Sequence, residues 1–296
     1  MIIKAAARSS RLSRAQVREV EEYIRGRIPG ATLRHIEVST LGDKVKDKPL
    51  HLIGRIGVFE KEVNKAVLDG RADIAVHSLK DLPSTLPPGL EIVLVPPRGD
   101  PRDSIVPQPP EAGPAPGSRI GTSSLRRAGL ASIHYPGAKV EPLRGNLDTR
   151  LRKLEEGRYD YIIVAEAGLQ RIGANVPRLR LDPLIWPPAP GQGLLAVVAR
   201  EDSRIAEVLR GIDHKESRAM AEAERGILSS AGSGCRAPLG GYSRLHGQMI
   251  TVWASTVVNG SLHVARARGP IERARAVGEE AGYMISELLE AVEDEG

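Results

Sequence analysis

Apolar positions along this chain follow two spacings, one of strands and one of helices. MIIKAAA at the N-terminus is a short apolar run of strand length. RSSR follows, and then Val17, Val20 and Ile24 recur at helical intervals, which predicts an amphipathic helix. RIGTSSLRRAGL (119–130) repeats that order, with a short strand, paired serines beside arginine, and a helix start. A second echo joins DGRADIAVHS (69–78) to EGRYDYIIVA (156–165). In both, a helix stops at glycine, arginine follows, and aspartate leads into an apolar run of the kind buried in a parallel sheet. The separation between the two echoes differs, so the pattern establishes two similar halves without establishing a duplication.

Proline divides these halves. Eleven of the 22 prolines fall in residues 83–116, which predicts extended connections there rather than core. A second cluster, WPPAPGQG (186–193), closes the second half. Two such passages suit a chain that enters a second lobe and returns. The expected organisation is a first α/β lobe of residues 1–96 plus about 193–212, a second of 97–192, and a cleft between them. Residues 216–296 read as a small α+β domain. It has a helix over 216–229, three antiparallel strands with turns at HGQ and NGS, and a final helix.

Composition narrows the chemistry. A hydrophobic content of 41% is ample for packed cores, and the single cysteine excludes an internal disulfide. No cysteine–histidine cluster has zinc-site spacing, so no metal is expected. The N-terminus lacks the apolar stretch of a signal peptide and no window approaches a membrane span, so the expectation is a cytoplasmic protein without membrane contact. Residues 119–158 hold nine basic and four acidic side chains, a surplus equal to the whole net charge of +5. Such a patch suits an anionic ligand. With aromatics at 3% and one phenylalanine, a stacking platform for bases is poorly supplied. A small polyanion fits better than nucleic acid.

Several positions could carry that chemistry. Lys80 and Asp81 fall just past the C-terminal end of the ADIAVHS strand, where open α/β sheets place their ligands. Asp81 reads equally as a cap for the turn before Pro83, or with Lys80 as a solvated surface pair. The two serine loops each offer free backbone N–H groups, hydroxyls and a favourable helix dipole to an anion. Arg8 and Arg11 flank the first, Arg126 and Arg127 follow the second, and Arg144 and Arg150 bracket GNLDT, where Asn146 can cap a helix. Guanidinium groups bind carboxylates in bidentate fashion, although any one of these arginines could simply solvate a helix face. His77, inside its strand, reads as a core histidine rather than a base. Cys235, in GSGCRAPLGG, is either a buried small hydrophobe or a reactive thiol in a glycine-rich loop beside Arg236.

Together these segments resemble the hydroxymethylbilane synthase (porphobilinogen deaminase) family. The matching stretches are RADIAVHSLKDLPS (71–84), DPRDS (100–104), IGTSSLRR (120–127), LRGNLDTRLRKLEEGRYDYIIVAEAGLQRIG (143–173), PGQG (190–193) and GCRAPLGGY (234–242). The resemblance implies a monomeric transferase of haem biosynthesis that condenses four porphobilinogen molecules with loss of ammonia, releasing 1-hydroxymethylbilane. It implies two periplasmic-binding-protein-like lobes plus the C-terminal domain, and a dipyrromethane cofactor held by a thioether at Cys235. Asp81 matches the catalytic aspartate. Lys80, Ser78, Thr122, Ser124, Arg126, Arg127, Arg144 and Asp43 match cofactor-binding positions. Arg8, Ser10, Phe59, Arg150, Arg171 and Gln192 match substrate-binding positions.

The chain departs from the family pattern at Arg55–Ile56, where many relatives carry lysine at the second position, and at Arg11 and Ser13 in the first serine motif. These changes bear on the loop over the cleft (roughly 42–57) and leave Arg8 and Ser10 intact. The competing class is a non-catalytic two-lobe carboxylate-binding protein. It would explain the arginines and serine loops but gives no role to Cys235 or to the Leu79–Lys80–Asp81 triplet.

Overall fold

Ile3, Ala5 and Ala7 point from β1 (Ile2–Arg8) into the same apolar cluster as Val17, Val20 and Ile24 of α1 (Arg11–Arg25), as their spacing requires. The computed structural model describes residues 1–39, 60–231 and 238–294, with the side chains of the last helix described to 288. The chain divides into two compact units, one of Met1–Arg98 with Leu194–Arg218, the other of Gly99–Gly193 with Ala219–Gly296.

The first unit continues with β2 (Thr32–Val38), α2 (Lys61–Leu68), β3 (Ile74–Ser78) and β4 (Leu90–Leu94), and is completed by β10 (Leu195–Arg200) and α6 (Arg204–Arg210). Its sheet has the order β2-β1-β3-β10-β4. β1 runs parallel to both β2 and β3, while β10 is antiparallel to β3 and β4. The strand residues Ile74, Ala75, Val197 and Val198 are fully buried, which explains their continuous apolar run.

The second unit holds β5 (Asp103–Val106), β6 (Arg119–Gly121), α3 (Leu125–His134), β7 (Lys139–Glu141), α4 (Leu147–Glu155), β8 (Tyr161–Ala165), α5 (Glu166–Arg171) and β9 (Leu179–Arg180). Its sheet order is β7-β6-β8-β5-β9, the same plan as the first sheet with β6 in the place of β1. In both sheets the antiparallel inner strand follows the passage of the chain from the other unit. This shared order bears out the expectation of two similar α/β halves.

The repeated Gly-Arg-x-Asp motif has a structural basis. Asp73 Oδ2 accepts the backbone N–H of Lys4 at 2.7 Å, and the Asp73 N–H donates back to the Lys4 carbonyl at 2.8 Å. Asp160 does the same with Arg119, at 2.7 and 3.0 Å. Each aspartate thus ties the start of the central strand of its sheet (β3 or β8) to the neighbouring parallel strand (β1 or β6). Gly70 and Gly157, which end the preceding helices, have φ of +70° and +68°, a conformation that favours glycine.

One expectation needs correcting. The proline-rich passage 83–116 is not only connection, because β4 and β5 lie within it and both contribute buried core residues. The prolines all fall outside these two short strands, before, between and after them, so neither strand loses a ladder hydrogen bond.

The rest of the second unit comprises α7 (Lys215–Ser230), β11 (Gly240–His246), β12 (Met249–Val258), β13 (Ser261–Pro270) and α8 (Ala274–Asp294). The strands form the expected three-stranded antiparallel sheet, turning at Gly247 and at Asn259–Gly260. Ile250, Val252 and Ala254 of the sheet pack on Ile227 of α7 and on Val277, Ala281 and Ile285 of α8. No described helix is long and apolar enough to cross a membrane.

Candidate active site

In the first unit the site residues collect where the parallel strands end. β1 finishes at Arg8, and Ser10 caps α1 by accepting the Ser13 N–H at 3.2 Å. The neighbouring β3 finishes at Ser78 and passes into a single 3₁₀ turn, Leu79–Asp81. Leu79 is buried and its N–H donates to the Leu194 carbonyl at 3.0 Å, which anchors the turn. Asp81 is left exposed and Lys80 half-buried. Buried Gln16 of α1 reaches across to donate to Ser78 Oγ at 2.7 Å. That acceptor role leaves the Ser78 hydroxyl proton available for a ligand.

His77, one residue earlier on β3, faces the interior. Its Nε2 donates to Asn64 Oδ1 at 2.9 Å, and burial pushes its pKa down to about 4. The imidazole is therefore neutral near pH 7 and belongs to the core, as its place in the strand suggests.

In the second unit Ser124 caps α3, with its Oγ accepting the Arg127 N–H at 3.4 Å, and its own N–H donates to Thr122 Oγ1 at 3.2 Å. Arg126 and Arg127, in the first turn, run inward and are only 5% and 6% exposed. Both meet the fully buried Asp103, Arg126 Nη2 at 2.9 Å from Oδ2 and Arg127 Nη2 at 2.7 Å from Oδ1. Gln192 Nε2 adds a bond of 2.8 Å to Oδ1, and Trp186 Nε1 one of 3.2 Å to Oδ2. Burial by itself would raise the Asp103 pKa, but the two guanidiniums and the bonds from Arg127 and Gln192 outweigh it and hold it far below the usual carboxylate range. Among the described residues, two buried cations face one buried anion here, so the cluster carries a net positive charge.

The other basic residues lie on the same unit. Asn146 caps α4 by accepting the Thr149 N–H at 3.0 Å, as its sequence position suggests. Arg150 Nε donates to the Gly145 carbonyl at 2.9 Å, where Gly145 has a φ of +111°. Lys153 Nζ holds the Arg144 carbonyl at 3.2 Å, and Arg171 Nη2 donates to the Gly193 carbonyl at 2.9 Å. The fully buried Glu166 receives Ser104 Oγ, Arg178 Nε and Arg180 Nε at 2.7, 2.7 and 2.9 Å. Its burial would raise the carboxyl, yet these bonds pull its pKa down to about 2.

The structure therefore gathers Arg8, Ser10, Ser78, Lys80 and Asp81 on one sheet end, and Thr122, Ser124, Arg126, Arg127, Arg144 and Arg150 on the corresponding end of the other. Gln192 joins the second set through Asp103. Asp43, Phe59 and Cys235 lie outside the described residues. Sequence reading missed Gln16, Trp186 and Asp103. The available signal for Asp103 was two adjacent arginines on an inward helix turn, which need a buried counter-charge.

Each unit thus ends its parallel strands in an α/β ligand-site geometry, with an exposed carboxylate on a tight turn in one and arginines at a helix start in the other. Comparison with known proteins makes this specific. The family model described as "Porphobilinogen deaminase, dipyromethane cofactor binding domain" matches residues 3–207. A probable porphobilinogen deaminase of Aeropyrum pernix is 46% identical over 98% of this chain and 97% of its own length. One of Hyperthermus butylicus is 42% identical over 97% of each chain. A porphobilinogen deaminase of Methylobacillus flagellatus is 41% identical over 93% of this chain and 90% of its own length. The chain belongs to the porphobilinogen deaminase (hydroxymethylbilane synthase) family. It is a transferase of porphyrin and tetrapyrrole biosynthesis that uses a dipyrromethane cofactor.

Proposed function

We propose that this enzyme joins four porphobilinogen molecules head to tail and releases 1-hydroxymethylbilane, the bond that holds the finished chain being broken and water adding to the methylene carbon so freed. In each coupling ammonia leaves the aminomethyl carbon of the incoming ring. The resulting methylene carbon bonds to the free α-carbon of the preceding ring, and that carbon then loses its proton. Loss of ammonia leaves an electron-poor ring whose nitrogen gains positive character. Asp81, exposed at the end of its anchored turn, stabilises that charge and assists the proton transfers.

The observation that carries this reading is the excess of buried positive charge around Asp103. Arg127 Nε is buried without a hydrogen-bond partner among the described residues, which suits a site completed by an incoming carboxylate. Each porphobilinogen ring brings an acetate and a propionate, so a growing chain accumulates negative charge that guanidiniums must offset. Dipyrromethane carries the same two carboxylates on each ring, and the donor set fits it. Thr122, Ser124, Arg126, Arg127 and Arg144 would hold those carboxylates, with Lys80, Ser78 and Asp43, and Cys235 would anchor the group as a thioether. When bound, the cofactor supplies the free α-carbon to which the first substrate ring is joined. Arg8, Ser10, Phe59, Arg150, Arg171 and Gln192 would bind the incoming substrate. We take the working unit to be a cytoplasmic monomer acting on a small molecule, with no nucleic-acid or membrane partner.

Asp81→Asn tests the reading. The enzyme should lose turnover by about three orders of magnitude or more while still binding porphobilinogen. Turnover unchanged by the substitution would remove Asp81 from the chemistry.

A further inference from the structure

Asp103 opens β5 within the DPRDS motif and is fully buried. A carboxylate offers about four lone-pair positions, and here all are taken. Arg127 Nη2 and Gln192 Nε2 bind Oδ1, while Arg126 Nη2 and Trp186 Nε1 bind Oδ2. No acceptor capacity is left for a ligand. The arginines are fixed at their other ends too, Arg126 Nη1 by the Pro187 carbonyl at 2.6 Å and Arg127 Nη1 by the Ile163 carbonyl at 3.0 Å. Gln192 Nε2 also donates to the Pro101 carbonyl at 2.8 Å, which fixes its amide plane.

A purely structural role would be served as well by apolar residues of similar volume, since buried ion pairs add little net stability over them. This cluster instead retains a surplus cation and an unpartnered Arg127 Nε. Both features weaken a packing role and favour an anion.

We propose that Asp103 is a positioning residue for carboxylate recognition in this enzyme. It fixes the side-chain conformations of Arg126, Arg127 and Gln192 and cancels one of the two guanidinium charges, so that these groups meet a pyrrole carboxylate as one rigid, singly charged unit. Asp103 touches neither substrate nor cofactor and acts through these side chains, foremost Arg127, whose Nε has no hydrogen-bond partner among the described residues. The proposal rests on the reading that Arg126 and Arg127 bind pyrrole carboxylates.

Four variants test it: Asp103→Glu, Asp103→Asn, Arg127→Gln, and the double variant Asp103→Asn/Arg127→Gln. The readouts are KM and kcat for porphobilinogen, the fraction of molecules carrying the cofactor by intact mass, and the melting temperature. Asp103→Glu keeps the charge but displaces it by one methylene. It should fold, raise KM about tenfold, change kcat less than about threefold, and lower cofactor occupancy. Because Asp103 works through Arg127, the double variant should fall within about threefold of the poorer single variant in kcat/KM.

A wild-type KM and occupancy in Asp103→Glu overturns the proposal, as does a double variant whose loss is the product of the two single losses. Failure of Asp103→Glu to fold also overturns it, because the role would then be structural. If Arg127→Gln alone keeps wild-type KM and occupancy, the carboxylate reading fails as well. If Arg127→Gln is impaired and Asp103→Glu is not, only the positioning role of Asp103 falls.

Discussion

The backbone N–H of Gly191 lies 2.6 Å from Oε2 of Glu224, a carboxylate with no exposed surface. The other oxygen of Glu224 accepts the N–H and the Oγ of Ser243 at 2.9 and 2.7 Å. One side chain of α7 thereby fastens both the PGQG segment, which carries Gln192, and the first strand of the C-terminal sheet. Glu224→Ala would leave three buried donors without an acceptor. It should destabilise the protein by about 3 kcal/mol in urea unfolding. Glu224→Gln keeps the Ser243 bonds but turns an N–H toward that of Gly191, and should cost about 2 kcal/mol.

Helices α7 and α8 touch through glycine. A Cβ on Gly278 would overlap the Ala223 carbonyl, and one on Gly282 would lie 2.7 Å from the Ile227 carbonyl. Backbone atoms cannot yield as side chains do, so the helices would have to separate. Gly278→Ala should therefore destabilise by roughly 2 kcal/mol or more. Gly157→Ala, which meets nothing within 4 Å but has a φ of +68°, should cost only about 1 kcal/mol. Equal melting temperatures for the two variants would contradict the close helix contact.

The Gln16–Ser78 bond predicts a functional effect with little structural cost. Gln16→Leu preserves volume and burial but frees Ser78 Oγ from its donor. The fraction of molecules that carry the cofactor, read by intact mass, should fall, the effect of one misdirected hydrogen bond, with the melting temperature nearly unchanged. An unaltered cofactor occupancy would take Ser78 out of the cofactor-binding set.

Stability should fall in acid in two stages. His77 has a pKa of about 4 in the folded protein, against 6.5 for a free imidazole. Between those values the unfolded chain binds the extra proton, so stability rises with pH. The His77 contribution is complete above about pH 6.5 and is lost as pH falls toward 4, up to ~3 kcal/mol. Glu166, whose pKa is drawn down to about 2, contributes above its ordinary value of 4.5 and is lost only as pH falls from there toward 2. His77→Gln should flatten the upper part of the profile and leave the lower part in place. A wild-type slope between pH 4 and 6.5 in that variant would assign the upper stage to another group.

Features of local origin were legible before the structure. Asn146 caps its helix because a side-chain oxygen and an N–H three residues on suffice to define the motif, and the serine loops stand at helix starts as expected, although the capping roles of Ser10 and Ser124 emerged only with the structure. The Gly-Arg-x-Asp echo was visible as a pattern, and its cause, the paired bonds of Asp73 with Lys4 and of Asp160 with Arg119, needed coordinates. β4 and β5 were hidden by the prolines around them, since strands of five and four residues leave little pattern of their own. The Asp103 cluster was least accessible. Its members come from positions 103, 126, 127, 186 and 192, and only the fold brings them to one carboxylate. Gln192 was singled out by family resemblance, but its attachment to Asp103 was not.

Whether the product grows on a dipyrromethane cofactor anchored at Cys235, as proposed, is read from the intact mass of the purified protein measured beside Cys235→Ser. The wild-type mass should exceed that of the bare sequence by two condensed porphobilinogen units, either as purified or after incubation with porphobilinogen, and the variant should show no such excess. A wild-type chain that stays at its bare mass after incubation, or a Cys235→Ser variant that gains the same excess, would contradict the account.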